Sequence, residues 1–443
     1  MRKKYLYIGV GVLAATAVIA FIGANKVREQ SGGNPIEELR ARSSVVEQRV
    51  MRPRPTVAAP PAARQPQEPP QDSDVFTDTV AAYERLVEEM KETEDDGQWE
   101  EALRLIHRGN WGRWTDEERA LVAAYLEAHG ELILGLRQLL EGGEPLFDID
   151  YSQGFKMELP SYLDIRKVSW LLLADAALAA VGDDYGAVLG NYRAFSGMMD
   201  ILAEQPVLIS QMMRASLLDM LYGHVGQTLR GEDMPPEVFR QLTGLAAAAN
   251  HRDGLGDALA FEGLFGLEVF SKIRMGDIEG AGIPAQGVDR FLIGLYGSAI
   301  ARPFLSMDEA AYAGLMNTMS DALALPYYAA RPLLEQLQAD LSSLPRTRFL
   351  TNYAMPNFTS AADAQARAEA QMGLMQVGLA VEHYYGQHGA YPETLEQVAP
   401  VLGGAMPLDP YTGRPFVYET RRTGFTLYSE REAGNIIWRD TGK

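Results

Sequence analysis

The chain has 443 residues, of which 47% are apolar and 22% are charged, an ordinary globular mixture that is long enough for about two or three domains. Its formal net charge is −19. Because phosphate binding needs clustered Lys and Arg, this charge argues against a nucleic-acid partner. There is no cysteine, which excludes disulfides, thiolate metal sites, cysteine nucleophiles and a lipidated cysteine.

The first thirty residues predict a signal anchor. A basic start at residues 2–4 precedes an uncharged stretch, residues 5–25, that is long enough to cross a bilayer as a helix. Residues 22–24 form an acceptable cleavage site, so a cleaved signal peptide is the alternative. Since basic flanks remain in the cytoplasm, we expect residues 1–30 to be a single transmembrane helix in the inner membrane, with a cytoplasmic N-terminus and a periplasmic body.

Residues 31–74 predict a polar helix followed by a linker. The helix candidate is "NPIEELRARSSVVEQRV", and the stretch after it, "MRPRPTVAAPPAARQPQEPPQDSD", is rich in Pro, Ala and Gln. Such a composition cannot bury a core. We therefore expect an extended spacer that holds the next domain away from the membrane.

Residues 75–355 predict an all-helical domain, since apolar residues recur at spacings of three and four between Gly and Pro breaks. Short links such as 181–184 favour antiparallel helical hairpins in a bundle or a loose solenoid, although no fixed repeat period is present. One predicted buried row consists of Ile209, Met213, Leu217, Leu221, Val225 and Leu229.

Residues 356–443 predict a small α+β domain. The stretch "DAQARAEAQMGLMQVGLAVEHYYGQHG" has the apolar spacing of a long helix. The segments "PFVYETR", "GFTLYSE" and "NIIWRD" follow it, and their aromatic and β-branched residues favour short strands of an antiparallel sheet.

This order of segments resembles the globular head of type II secretion pseudopilins and related type IV pilin-like domains. The residues that carry the resemblance lie in "LAVEHYYGQHGAYPETLEQV", "MPLDPYTGRPFVYE" and "GFTLYSE", within the last 90 residues or so. The resemblance implies an amphipathic helix lying across a small sheet. The motif positions are Tyr391, Pro392, Leu395, Asp409, Pro410 and Gly413.

Each of these positions also has a local physical role. Tyr391 can cover the apolar face of the helix, and Leu395 can face inward from a short helix that follows the turn. Asp409, placed before a proline, can start a turn by accepting backbone N–H bonds, and Gly413 supplies the backbone freedom that the turn needs.

The chain differs from pseudopilins in two places. Its apolar N-terminal stretch lacks the Gly-Phe-Thr-Leu-x-Glu pattern and lies about three hundred residues before the head, and the acidic calcium loop of the major pseudopilin is missing. The helical middle, in the segment that begins "FDIDYSQGFKMELP" and covers residues 147–213, is similar to regions of uncharacterised membrane-anchored proteins of planctomycete-type bacteria, a group that brings no assigned activity.

Two groups of ionisable residues could form a metal or catalytic site. His383 and His388 flank the end of the long helix near Glu382, but their spacing places them on different sides of a helix. Asp148 and Asp150 alternate in a loop, where carboxylates can bind a cation or act as an acid and base pair, or simply form a solvated turn. We favour polar helix-end and turn roles, and predict no catalytic, cofactor or metal site.

The sequence therefore predicts a membrane-anchored scaffold or protein-interaction protein outside the cytoplasm, linked to type II secretion or envelope assembly. Its partners would be the membrane, through residues 5–25, and other envelope or secretion proteins. The alternative is a hydrolase-like or ligand-binding helical domain with a cleft near Asp148 and Asp150. A cleft with converging ionisable groups would favour the alternative, and a filled core with exposed apolar patches would favour the scaffold.

Overall fold

The structure, a computed structural model, describes residues 34–50, 72–95, 97–229, 234–249, 253–281, 293–294, 296–298, 301–345, 348–421, 424–431 and 434–440. The expected anchor and most of the Pro-rich linker lie outside these residues. Among the helices it does describe, none combines the length and the apolarity that crossing a bilayer would take.

The described chain is mainly helical, which confirms that part of the prediction. The helices begin and end at the punctuation that the sequence provides, such as Pro236 at the start of one helix and Gly389 directly after another. They are α1 (Pro35–Val50), α2 (Asp72–Asp95), α3 (Glu100–Arg108), α4 (Asp116–Ala128), α5 (Gly130–Glu141), α6 (Tyr162–Val181), α7 (Tyr185–Ala203), α8 (Leu208–Thr228), α9 (Pro236–Ala248), α10 (Asp253–Met275), α11 (Arg302–Leu323), α12 (Tyr327–Ser342), α13 (Phe349–Ala354) and α14 (Phe358–His388).

Helices α6 and α7 form a hairpin. The Ser161 hydroxyl accepts a hydrogen bond from the Asp164 N–H at the start of α6, and the Asp184 carboxylate accepts one from the Ala187 N–H at the start of α7. Between them, Asp183 adopts a φ of 54°, a left-handed conformation that aspartate tolerates better than most residues. Three residues therefore suffice to reverse the chain.

The predicted buried row on α8 is wrong at its first position. Leu217, Leu221 and Val225 are buried, but Ile209 is 47% exposed. In the first turns of α8 the inward face carries Gln211 instead, because its side-chain amide donates to the carbonyl oxygens of Leu202, Ala203 and Gln205. Leu202 and Ala203 are the last residues of α7, so Gln211 binds carbonyl groups at the end of that helix, while Ile209 lies on the outward side.

The three strands form a small antiparallel sheet, as the sequence predicted, and their order in the sheet is β1-β2-β3. They are β1 (Val417–Arg421), β2 (Gly424–Ser429) and β3 (Ile436–Asp440). Tyr418 of β1 pairs with Leu427 of β2, and Tyr428 pairs with Ile437 of β3. Phe425, Leu427 and Trp438 are buried on the face that packs on α14.

Helix α14 is covered on both sides. The sheet packs on one side, and α8 and α9 pack on the other. A single hydrophobic core contains Met372 and Met375 of α14 together with Leu217 of α8 and Leu427 of β2. The core is thus continuous across the domain boundary expected near residue 355. A second core joins α10, α11 and α12 with Leu39 of α1 and Phe358 at the start of α14.

Candidate functional site

The segment after α14 makes a tight corner against the sheet. Helix α14 ends at Gly389, whose φ of 70° is left-handed and whose N–H donates to the Tyr385 carbonyl oxygen at 2.8 Å. The half-buried Tyr391 ring stacks on Tyr385 with 4.4 Å between ring centroids and meets Phe425 of β2 at 5.3 Å. This aromatic column fixes the end of the helix against the sheet.

The corner continues in two short 3₁₀ turns. The Pro392 carbonyl accepts a hydrogen bond of 2.8 Å from the Tyr418 hydroxyl of β1. Thr394 and Gln397 form a reciprocal capping box around the first turn, in which Leu395 is buried. The path of the chain is therefore tied to β1 by a polar contact and to the core by an apolar one.

Asp409 organises the next turn. Its carboxylate is almost completely buried and accepts the Tyr411 N–H at 2.9 Å, the Ser429 hydroxyl at 2.9 Å and the Glu430 N–H at 3.1 Å. The Asp409 carbonyl oxygen accepts the Gly413 N–H at 2.8 Å, and Gly413 has a φ of +68°. One side chain thus closes its own turn and ties it to the end of β2, while the neighbouring Pro410 is also buried.

A polar cluster joins this turn to the helical body. Asp363 of α14 accepts hydrogen bonds from the hydroxyls of Tyr411 at 3.2 Å and Tyr327 of α12 at 3.4 Å, and it pairs with Arg431. Burial and the nearby Asp363 charge raise the pKa of Tyr411, so its hydroxyl stays a donor. Sequence reasoning missed this cluster, because Asp363 lies 48 residues from Tyr411 and 68 from Arg431 and no local pattern links them.

Two large apolar side chains lie exposed beside the Asp409 turn. Leu408 precedes it and is 55% exposed, and Tyr328 of α12 is 48% exposed. The Tyr328 ring lies over Gly413, where a β-carbon would come within 2.8 Å of it. We call Leu408 and Tyr328, held in place by this turn, the corner surface. The hydrogen bonds of Asp409 brace its backbone and its exposed side chains are partly apolar, a combination that suits recognition of another protein.

Asp148 and Asp150 are both exposed. Asp150 accepts the Ser152 N–H at 3.0 Å, the Ser152 hydroxyl at 2.6 Å and the Gln153 side-chain amide at 2.9 Å. These hydrogen bonds lower the pKa of Asp150. Its carboxylate is thereby used to start the 3₁₀ turn Tyr151–Lys156.

The histidines pack as helix residues. His383 is buried, stacks on Phe239 at 4.4 Å and makes a hydrogen bond of 2.8 Å with Gln387. His388 is exposed and stacks on Tyr384. No group of three potential metal ligands occurs in the part of the chain that the structure describes.

His224 is completely buried on α8. Its Nδ1 lies 2.8 Å from the Tyr192 hydroxyl, and its ring meets Trp111 edge-on. Burial lowers the pKa of His224 to about 3, so the imidazole is neutral at physiological pH.

Comparison with known proteins gives no relative: no family model, curated protein or solved structure matches the chain. Within the body, the apolar cavity between Tyr192, Met199 and Met375 has a volume of about 10 Å³, which is room for one water molecule.

Proposed function

We propose that this chain is a membrane-anchored extracytoplasmic scaffold whose pilin-like tail and helical body together present a binding surface in secretion or envelope assembly. The proposal combines the anchor expected from residues 5–25 with the helix-on-sheet arrangement of the tail. The observation that carries it is the position of α14, which belongs at once to the sheet and to the body.

A shared helix makes the tail a fixed part of the scaffold. Because α14 is buried from both sides, the sheet cannot turn relative to α8 without opening the core that holds Met375 and Leu427. The Asp363 cluster adds a second connection between the Asp409 turn and α12. Surfaces that combine residues of the tail and the body therefore keep one shape, which lowers the entropic cost of binding a partner.

The corner surface is the place where we expect a partner to bind. Leu408 comes from the tail and Tyr328 from the body, and both expose about half of their side chains. Aromatic and large aliphatic side chains on a rigid support are typical of the centres of protein interfaces. A partner that covers both would recognise the assembled scaffold and would not recognise a separated tail.

The location can be tested with reporter enzymes fused after Lys443 of the full chain. One reporter should be active only outside the cytoplasm, and a second only inside it. We expect the first to be active and the second inactive, and deletion of residues 1–30 should reverse this pattern. Activity of the cytoplasmic reporter in the full chain would contradict the proposed location.

The binding surface can be tested by photo-crosslinking in the native host. A photoreactive amino acid replaces Leu408 or Tyr328, and the control replaces Leu134 of α5, which is exposed to a similar extent at 52%. We expect both corner positions to crosslink to the same envelope or secretion protein and the control to leave it unlabelled. Crosslinks to unrelated proteins at the two positions, or the same product at Leu134, would contradict a specific corner surface.

A further inference from the structure

Helix α1 is part of the folded body. Leu39 is fully buried against Gly263 of α10, and the Ser43 hydroxyl donates to the Ala260 carbonyl oxygen at 2.6 Å. At its start, the Pro35 carbonyl accepts a hydrogen bond of 3.0 Å from the Asn317 side chain of α11. The polar helix expected before the linker is therefore docked on the body, with Leu39 and Val46 buried and Val45 exposed on the outer side.

This docking changes what the Pro-rich stretch connects. Helix α2, which follows that stretch, also packs on the body, and Lys91 forms an ion pair of 3.1 Å with Asp164 of α6. Residues 51–71 thus run between two helices that both belong to the body. Between the expected anchor and the docked α1 there remain only residues 26–33, which reach at most about 28 Å when fully extended.

The direction of α1 shows which end of the body faces the anchor. Because Ser43 lies at Ala260 and Leu39 at Gly263, α1 runs antiparallel to α10. From Gly263, α10 continues to Met275, which at 1.5 Å per residue extends about 12 Å beyond the level of Pro35. Met275 is 72% exposed at this tip. The chain enters the body at the same end.

We propose that the tip of α10, with Met275 and the turn at residues 276–280, faces the lipid surface of the bilayer at short distance. The proposal rests on the proposed function, since it requires residues 5–25 to be in the membrane. Lys272 is paired with Glu268 and Arg274 with Glu309, so the basic charges of the tip are already neutralised. The short tether sets the distance, and the contact does not require anionic lipid.

The absence of cysteine allows a direct test by labelling. The full chain carrying Met275→Cys is labelled with a fluorophore and reconstituted in vesicles that contain a headgroup-linked quencher. The matched control is Val45→Cys on α1, which is 59% exposed and lies about 27 Å farther from the α10 tip than Met275 along the shared axis of the two helices. We expect quenching several-fold stronger at position 275 than at position 45 in zwitterionic vesicles. Equal quenching at both positions would overturn the proposal.

Two insertions distinguish a short tether from a long spacer. A flexible Gly/Ser insert of about twenty residues after residue 30 should lower quenching at position 275, since it lengthens the tether. The same insert after residue 60 should leave quenching unchanged, because that segment joins two docked helices. The opposite pattern would show that the Pro-rich stretch is the spacer and that α1 does not stay on the body.

Flotation of the vesicles separates this inference from the proposed function. If the full chain fails to float with vesicles, residues 5–25 are not a membrane anchor and both proposals are wrong. A chain that floats but shows weak quenching at position 275 would refute only the orientation. Removal of residues 1–30 should abolish flotation and quenching together.

Discussion

The helical body and the C-terminal sheet meet on the same helix but pack against it in different ways. On the sheet side, Gly378 lets the Trp438 indole lie directly on the α14 backbone, and the contact is mostly apolar. On the body side, Asp219 of α8 bonds to Arg367 at 2.9 Å and to Gln371. The sheet is thus held by close packing, and the body adds polar contacts that fix the register of the helices.

This difference explains why the sequence of α14 does not show which of its faces meets the sheet and which meets the body. A helix that is buried on one face has a clear apolar stripe, whereas α14 is buried almost all round between residues 365 and 383. Gly378 admits the Trp438 indole of the sheet, and the Gln371 side chain donates to Asp219 of the body. The following experiments test whether the two regions depend on each other as this packing implies.

The largest effect should come from opening the shared core. Leu427→Ala on β2 and Leu217→Ala on α8 both remove a fully buried side chain, and each should lower the free energy of unfolding by about 2–5 kcal/mol. Because the core is continuous, both variants should shift one transition for the whole chain. Far-ultraviolet circular dichroism reports the helices and tryptophan fluorescence reports Trp438 among others, so the two signals should change together in denaturant.

Limited proteolysis can show whether the tail instead unfolds separately from the body. If Leu427→Ala makes residues 356–443 sensitive while residues 75–355 stay resistant, the tail is an independent unit, as its sequence predicted. Loss of protection in both segments at the same denaturant concentration would support a single cooperative unit.

The close approach of the sheet can be tested at one glycine. In Gly378→Ala the new methyl group would lie 2.3 Å from the Trp438 indole, so the indole must move, and we expect a loss of about 1–3 kcal/mol in unfolding free energy. The control is Gly314→Ala on α11, where a β-carbon would meet nothing within 4 Å. There the same change should stabilise by about 0.5–1 kcal/mol through helix propensity. Equal effects at both positions would contradict the close contact.

The stability of the body should depend on pH because His224 is buried. Its pKa is lowered from 6.5 to about 3 by burial, so below pH 6.5 the unfolded chain binds more protons than the folded chain. Stability should therefore fall as the pH decreases from 6.5 toward 3, by up to about 1.4 kcal/mol per pH unit. Denaturant titrations across this range should show a flatter profile for His224→Gln, and an unchanged slope would contradict this assignment.

Some of this could be predicted from the sequence, because the signals were local. The α6–α7 hairpin follows from apolar spacing and the turn at 181–184, and the short strands follow from β-branched and aromatic runs between turn residues. Two backbone partners of Asp409, the N–H groups of Tyr411 and Gly413, also lie within four residues of it.

Features set by distant partners could not be predicted. Ile209 fits an inward stripe by spacing alone, yet it is exposed, and the buried residue nearby is Gln211, which binds carbonyl groups at the end of α7. The link from Asp363 to Arg431 spans 68 residues. The docking of α1 also depends on α10 and α11, which lie more than two hundred residues later in the chain.

The smallest effect should come from the exposed acidic turn of the body. Asp148→Asn and Asp150→Asn, alone or together, should leave the melting temperature and any cellular phenotype unchanged, because both side chains are exposed and asparagine keeps an acceptor for the Ser152 N–H. Asp409→Asn is the matched change in the tail. There a buried carboxylate accepts three hydrogen bonds, and in either orientation the new amide group would face a backbone N–H, that of Glu430 or that of Tyr411, so we expect a loss of about 1–3 kcal/mol in unfolding free energy. If the double variant at 148 and 150 abolished function while its melting curve stayed unchanged, that loop would be a chemical site and the scaffold proposal would give way to the hydrolase-like or ligand-binding alternative.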